Sequence, residues 1–194
     1  FYLNDSKITL GNTLQVASNQ NYTFSAWVKI DVLEETNIFS QRDAVGYNGL
    51  EMTIEGSEVF PYYGSTSSDY QWHMACTGIP MNEFNLITVV FDAGNNVVTG
   101  YVNGVQTGSF GIAGVGAIEN TGIAFIGAKD NVSSVAKFTI DDLVIHNRVL
   151  SQSEITAIYN SCVVTPVVVI GNNVPGAFTS SNYSCTNNAG STYN

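Results

Sequence analysis

The chain has 194 residues and a mass of 20.8 kDa, which corresponds to one domain or to one domain with a tail. Its six Lys and Arg residues face sixteen Asp and Glu residues, and the formal net charge of −10 argues against nucleic acids and anionic membranes as partners. The hydrophobic fraction of 44% excludes a disordered acidic chain, and no apolar run approaches the ~20 residues that membrane insertion requires.

The polar fraction is rich in Asn, Ser, Thr and Gly, which is typical of loop-rich β proteins outside the cell. Because the chain begins with Phe1 rather than Met, we expect a processed chain or a fragment that has lost any signal peptide. Four sequons are candidate N-glycosylation sites, although so polar a chain also forms sequons by chance. Their asparagines are Asn4, Asn21, Asn131 and Asn182. We therefore expect an extracellular or cell-surface protein.

Strand patterns dominate the first 150 residues. Residues 86–91 form a β-branched run typical of a strand buried on both faces. Strands are also predicted at 97–102, 105–110, 123–127 and 138–145. Residues 22–30 alternate in polarity, which predicts one buried face made of Tyr22, Phe24, Ala26, Val28 and Ile30.

Two local motifs mark a turn and a helix. Asn103-Gly104 predicts a tight hairpin, because a type I′ turn needs positive φ at both central residues. Ser151 and Glu154 fit a capping box, which predicts a short helix ending near Asn160. Its buried face is predicted to contain Leu150, Ile155, Ile158 and Tyr159.

Six pieces of sequence carry a resemblance to a known family through their order and spacing. They are Phe24-Ser25-Ala26-Trp27-Val28-Lys29, Val89-Val90-Phe91-Asp92, Tyr101-Val102-Asn103-Gly104, Ile126-Gly127, Ile140-Asp141-Asp142-Leu143-Val144-Ile145 and Leu150-Ser151-Gln152-Ser153-Glu154-Ile155. Together they resemble the pentraxin-related, laminin G-like domains of the concanavalin A-like lectin/glucanase superfamily. The resemblance implies an all-β jelly-roll sandwich of two antiparallel sheets with one short helix near the end. We therefore predict a laminin G-like domain over residues 1–161 and a C-terminal extension over residues 162–194.

The resemblance also implies a structural calcium ion. In similar domains an Asp at the position of Asp141 often binds calcium together with oxygens from N-terminal loops. Calcium takes six to eight oxygen ligands, and Asn12, Asn19 and Asp5 are the candidate donors here. The alternative is that Asp141 only accepts hydrogen bonds from backbone N–H groups.

An aromatic segment at residues 60–73 is a candidate ligand surface. Sugars stack on aromatic rings, and clusters of exposed aromatic side chains mark interaction sites. The predicted ligand-binding residues are Tyr62, Tyr63, Tyr70 and Trp72. Alternatively, the segment contacts a protein partner, or its aromatic residues alternate into the core.

Enzymatic activity is not expected. Glu51 and Glu55 share a strand face but lie ~13 Å apart, too far for a glycosidase carboxylate pair. With Glu58, they are expected to be exposed charges. Neither His73 nor His146 lies near a nucleophile motif.

The C-terminal extension suggests a second function. Three cysteines allow three pairings, of which Cys162–Cys185 is the most local and is the predicted disulfide. The alternative is that all three cysteines are free thiols. The uncharged segment after Cys162 predicts an extra strand, which pairs with its own sandwich, enters a further domain, or is donated to a neighbouring copy. Its apolar residues are Val163, Val164, Val167, Val168, Val169 and Ile170.

Two functions therefore follow from the sequence. The first is a recognition or adhesion module that binds a glycan or an extracellular protein. The second is a filament subunit that assembles by donating the C-terminal strand, since head-to-tail contacts build open fibres when the rotation does not close.

Overall fold

Two six-stranded antiparallel sheets make up the fold. The computed structural model describes residues 2–4, 7–11, 20–42, 48–66, 68–115, 122–129, 137–161, 185–186 and 192–193. In chain order the elements are β1 (Tyr2–Asn4), β2 (Ile8–Gly11), β3 (Tyr22–Ile30), β4 (Thr36–Arg42), β5 (Gly49–Glu55), β6 (Glu58–Thr66), β7 (Asp69–Trp72), β8 (Phe84–Asp92), β9 (Val97–Val102), β10 (Val105–Gly111), β11 (Ala124–Ile126), β12 (Lys137–His146), α1 (Gln152–Ser161), β13 (Cys185–Thr186) and β14 (Thr192–Tyr193).

The strands divide between two layers, and the consecutive runs β4–β7 and β8–β10 each stay within one layer. The first sheet has the order β1-β12-β3-β8-β9-β10, and the second has the order β2-β11-β4-β5-β6-β7. This arrangement confirms the predicted jelly-roll sandwich with one short helix.

The core lies between the two sheets and is built by alternation along the strands. The five residues predicted on one face of β3 are all buried in it. Phe24 from the first sheet meets Phe39 from the second, with 6.0 Å between ring centroids. Full burial of one such side chain stabilises the fold by roughly 1.5–3 kcal/mol.

The two local motifs form as predicted. Asn103 and Gly104 both have positive φ, 53° and 79°, and join β9 to β10 as a tight hairpin. At the start of α1 the Glu154 carboxylate accepts a hydrogen bond from the Ser151 N–H, while the Ser151 hydroxyl accepts one from the Glu154 N–H. Ile155 is the buried residue through which α1 packs on the outward face of the first sheet.

The C-terminal extension is described only in part. Strands β13 and β14 pair with each other as a separate two-stranded sheet. The predicted extra strand at residues 163–170 lies outside the described residues, so strand donation stays a prediction. Within the part of the chain that the structure describes, no helix is long and apolar enough to cross a membrane.

Candidate ligand-binding groove

One row of side chains crosses the outward face of the second sheet. Antiparallel register places Phe125, Ser40, Glu51, Tyr62 and Trp72 opposite one another on β11, β4, β5, β6 and β7. Directly opposed residues in an antiparallel sheet point to the same face. The row therefore brings together side chains that are far apart in the sequence.

A buried ion pair lies in the middle of this face. The Arg42 guanidinium donates through Nη1 to Glu51 Oε2 at 2.7 Å, and the two side chains are only 10% and 5% exposed. The other carboxylate oxygen accepts hydrogen bonds from Asn37 and Thr53. A buried charge needs such partners, because burial alone strongly disfavours it.

The position of Glu51 corrects a sequence expectation. Glu51 was expected to be an exposed charge, and that expectation was wrong. The residue does face away from the core, but its opposed neighbour Tyr62 and the side chain of Arg42 enclose it. Cross-strand register, which the local sequence does not reveal, causes this burial.

Aromatic rings form one wall beside the ion pair. Tyr62 stacks on Tyr70 with ring centroids 5.4 Å apart, and the Arg42 guanidinium carbon lies 4.0 Å from the Tyr62 centroid. At this distance the guanidinium makes a cation–π contact with the ring. Trp72 packs on Phe60 at 5.6 Å. Tyr70 and Trp72 remain 46% and 45% exposed, so their outer faces are available to a ligand.

The phenol of Tyr62 is held in its neutral form. Burial raises the pKa of Tyr62 above its ordinary value of 10.0, while the nearby Arg42 charge acts in the opposite direction. At neutral pH the hydroxyl group therefore adds no charge to the surface.

These side chains line an open groove of about 400 Å³. This volume lies within the ~300–1,000 Å³ typical of small-molecule sites. The groove combines aromatic faces with charged groups of both signs, an arrangement that suits ligands with apolar faces and hydroxyl groups. Its lining residues are Glu35, Arg42, Glu51, Tyr62, Tyr70, Trp72 and Lys129.

The structure brings three of the four predicted ligand-binding residues together and places the fourth in the core. Tyr62, Tyr70 and Trp72 lie together in the groove. Tyr63 points to the other side of the sheet, where it is buried in the core and stacks on Phe91 at 6.1 Å.

Sequence reasoning missed the polar half of the groove. Arg42 and Lys129 are two of only six basic residues in the chain, a scarcity that draws attention to both. Without the strand register, however, nothing connects them with the aromatic segment or with Glu35.

The predicted calcium site stays a prediction. Asp141 is exposed beside a bulge in β12, and its carboxylate accepts a hydrogen bond from the N–H of Asp142, which has a φ of 47°. Asn12, Asn19 and Asp5 lie outside the described residues. Among the residues that are described, no three His, Cys, Asp or Glu side chains form a metal-binding group. If calcium binds at Asp141, EDTA lowers the melting temperature of the wild type but not that of Asp141→Ala.

The sequons and cysteines are placed in part. Asn21 is exposed, and its side-chain oxygen accepts a hydrogen bond from the Ala93 N–H. Asn4 lies in β1 and Cys185 lies in β13. The remaining predicted positions, Asn131, Asn182 and Cys162, lie outside the described residues.

The third cysteine is not a nucleophile. Cys76 is fully buried, and burial raises the pKa of its thiol to about 12. Because the thiolate is the reactive form, the Cys76 thiol is inert at neutral pH in the folded protein.

A protein-family model matches most of the chain. Residues 3–156 match a laminin G model described as the concanavalin A-like lectin/glucanases superfamily. The chain belongs to this superfamily. No curated protein sequence matches the chain.

Several solved structures share the superfamily fold. The binding domain of botulinum neurotoxin serotype G is 21% identical with a TM-score of 0.66, and the match covers 82% of this chain and 42% of that one. The binding domain of Paraclostridial Mosquitocidal Protein 1 is 16% identical with a TM-score of 0.68, and the match covers 82% of this chain and 42% of that one. The botulinum neurotoxin serotype D ligand-binding domain, in complex with N-acetylneuraminic acid, is 17% identical with a TM-score of 0.62. This match covers 79% of this chain and 39% of that one. The chain therefore spans about two fifths of the length of these superfamily structures, and at such identities the likeness shows the fold alone.

Proposed function

We propose that this chain is an extracellular, non-catalytic recognition module that binds a glycan, or a protein, through the aromatic groove of the second sheet. The observation that carries the proposal is the placement of Tyr70 and Trp72, each nearly half exposed, beside the buried Arg42–Glu51 ion pair. Exposed aromatic side chains grouped around polar groups are typical of interaction sites.

A glycan suits this groove in two ways. The C–H faces of a sugar ring pack on Tyr70 and Trp72, which removes apolar surface from water. Sugar hydroxyl groups both donate and accept hydrogen bonds, so they match the guanidinium and carboxylate groups of the groove. The serotype D toxin domain shares this fold and was solved with a sugar, N-acetylneuraminic acid, which supports a sugar as the ligand class.

The carboxylates support a non-catalytic role. Glu51 is already paired with Arg42 and hydrogen-bonded twice more. Glu55 and Glu58 face each other at the turn between β5 and β6, away from the groove lining. A glycosidase needs two carboxyl groups that are free to act on either side of the bond that it cleaves. Glu35 and Glu51 both line the groove, but the ion pair with Arg42 already engages Glu51.

A glycan array tests the proposal when the wild type is compared with Trp72→Ala. We expect the wild type to bind at least one glycan, and the variant to bind it about tenfold more weakly because ~1–2 kcal/mol of apolar contact is lost. Phe84→Ala is the matched control, since Phe84 is 46% exposed on the first sheet and is not part of the groove. Equal binding by wild type and Trp72→Ala would place the ligand elsewhere and overturn the proposal.

A further inference from the structure

We infer that the groove binds uncharged glycans and discriminates against glycans that end in a carboxylate-bearing sugar; this rests on the proposed function. The inference follows from the charges of the groove and from how far each charge is already paired. The inferred preference for uncharged ligands contrasts with the serotype D toxin domain, which was solved with the acidic sugar N-acetylneuraminic acid.

The strongest anion-binding group in the groove is already occupied. The Arg42 guanidinium pairs with Glu51 at 2.7 Å, and its carbon lies 4.0 Å from the Tyr62 ring centroid. Guanidinium groups bind carboxylates best through two parallel N–H donors. Here Glu51 accepts a hydrogen bond from Nη1 of Arg42, and the Arg42 Nε is buried without a hydrogen-bond partner among the described residues. The ion pair therefore neutralises the charge of the guanidinium, which weakens its attraction for an external carboxylate, although it does not use all of its donors.

The remaining charges of the groove do not favour an anion. Lys129 and Glu35 both line it, so the four ionised side chains of the lining sum to zero, two positive and two negative. A ligand carboxylate can only accept hydrogen bonds, so it can pair with Lys129 but is repelled by Glu35. A hydroxyl group can donate to the Glu35 carboxylate and accept from the Lys129 ammonium, so an uncharged sugar matches both charged groups that lie outside the buried ion pair.

The field of the whole chain adds to this discrimination. The net charge is −10, and most of the few basic residues are used within the protein. Ion pairs outside the groove include Lys29–Asp31, Lys137–Glu34 and Arg148–Glu154. An anionic glycan therefore approaches a surface whose summed potential is negative.

An array that prints each glycan chain with and without a terminal sialic acid tests the inference. We expect the uncharged member of a bound pair to bind at least about fivefold more tightly, as one like-charge contact in water-like surroundings predicts. We also expect binding of the sialylated members to strengthen with added NaCl, because salt screens repulsion, while binding of the uncharged members changes little.

Charge variants locate the effect in the groove. Glu35→Gln is expected to strengthen binding of sialylated members and to reduce the discrimination between paired glycans. Glu83→Gln is the matched control, since it removes the same charge from an exposed residue that is not part of the groove lining. Equal effects of the two variants would assign the discrimination to net charge alone and overturn the role of the groove.

The outcomes separate this inference from the proposed function. Tighter binding of sialylated glycans that is lost in Trp72→Ala overturns the inference and leaves the proposed function standing. Binding of no printed glycan overturns the inference together with the glycan part of the proposed function.

Discussion

The buried ion pair of the groove allows a quantitative test by removing one charge. Glu51→Gln keeps nearly the same shape but leaves the Arg42 guanidinium, only 10% exposed, without a counter-ion. Breaking a buried pair in this way costs about 3–5 kcal/mol, because the remaining charge is neither solvated nor neutralised. We therefore expect the free energy of unfolding to fall by that amount.

A more exposed ion pair on the other sheet provides the control. Lys29 and Asp31 lie 2.9 Å apart, with side chains 32% and 24% exposed. Asp31→Asn is expected to cost only about 0–1 kcal/mol, since water and salt already screen this pair. Both variants replace a carboxylate by an amide, so the comparison isolates the effect of burying the ion pair.

Urea unfolding followed by circular dichroism measures both changes. With a slope of about 2 kcal/mol per molar urea, Glu51→Gln lowers the midpoint by roughly 1.5–2.5 M, and Asp31→Asn lowers it by less than about 0.5 M. A Glu51→Gln cost below about 1 kcal/mol would refute the reasoning. As a further check, Arg42→Met/Glu51→Leu should be more stable than Glu51→Leu, because both charges leave together.

Two further predictions concern a pH dependence and the close approach of Gly100 to the backbone of Ala75. Hydrogen bonding to Arg148 lowers the pKa of Glu154 to about 2 from its ordinary value of 4.5, so the stabilisation is present above pH 4.5 and is lost as the pH falls towards 2. Urea unfolding should therefore show wild type and Glu154→Gln converging over that interval, and a constant difference would contradict the assignment. Gly100→Ala should cost about 1–3 kcal/mol, because its new Cβ meets the Ala75 carbonyl oxygen, whereas Gly111→Ala should change stability by less than about 0.5 kcal/mol. Thermal unfolding checks this pair, and equal melting temperatures would argue against the clash.

Local features of the fold could be predicted because neighbouring residues encode them. The Asn103-Gly104 turn needs only residues that tolerate positive φ, and the helix start needs only Ser151 and Glu154 at the right spacing. Alternation along β3 likewise identified the face that packs in the core. The order and spacing of such motifs were sufficient to identify the resemblance to the superfamily.

The groove could be predicted only in its aromatic part. Tyr62 and Tyr63 are adjacent in a run of aromatic residues, and the choice of which one faces outward depends on the register of β6 against β5. A shift of one residue would exchange the two. The sequence therefore marked the segment but not the individual side chains.

Composition and local pattern alone thus predicted an acidic, strand-rich chain with one capped helix and an aromatic segment, and the family resemblance of the ordered motifs added the two-sheet sandwich. The pairing of strands that are distant in sequence decided the rest: it buried Glu51 against Arg42, turned Tyr63 inward and brought Lys129 to the aromatic wall. The physical reason is that a turn or a helix cap depends on residues within a few positions. A site on a sheet face depends on register, which the whole core fixes at once.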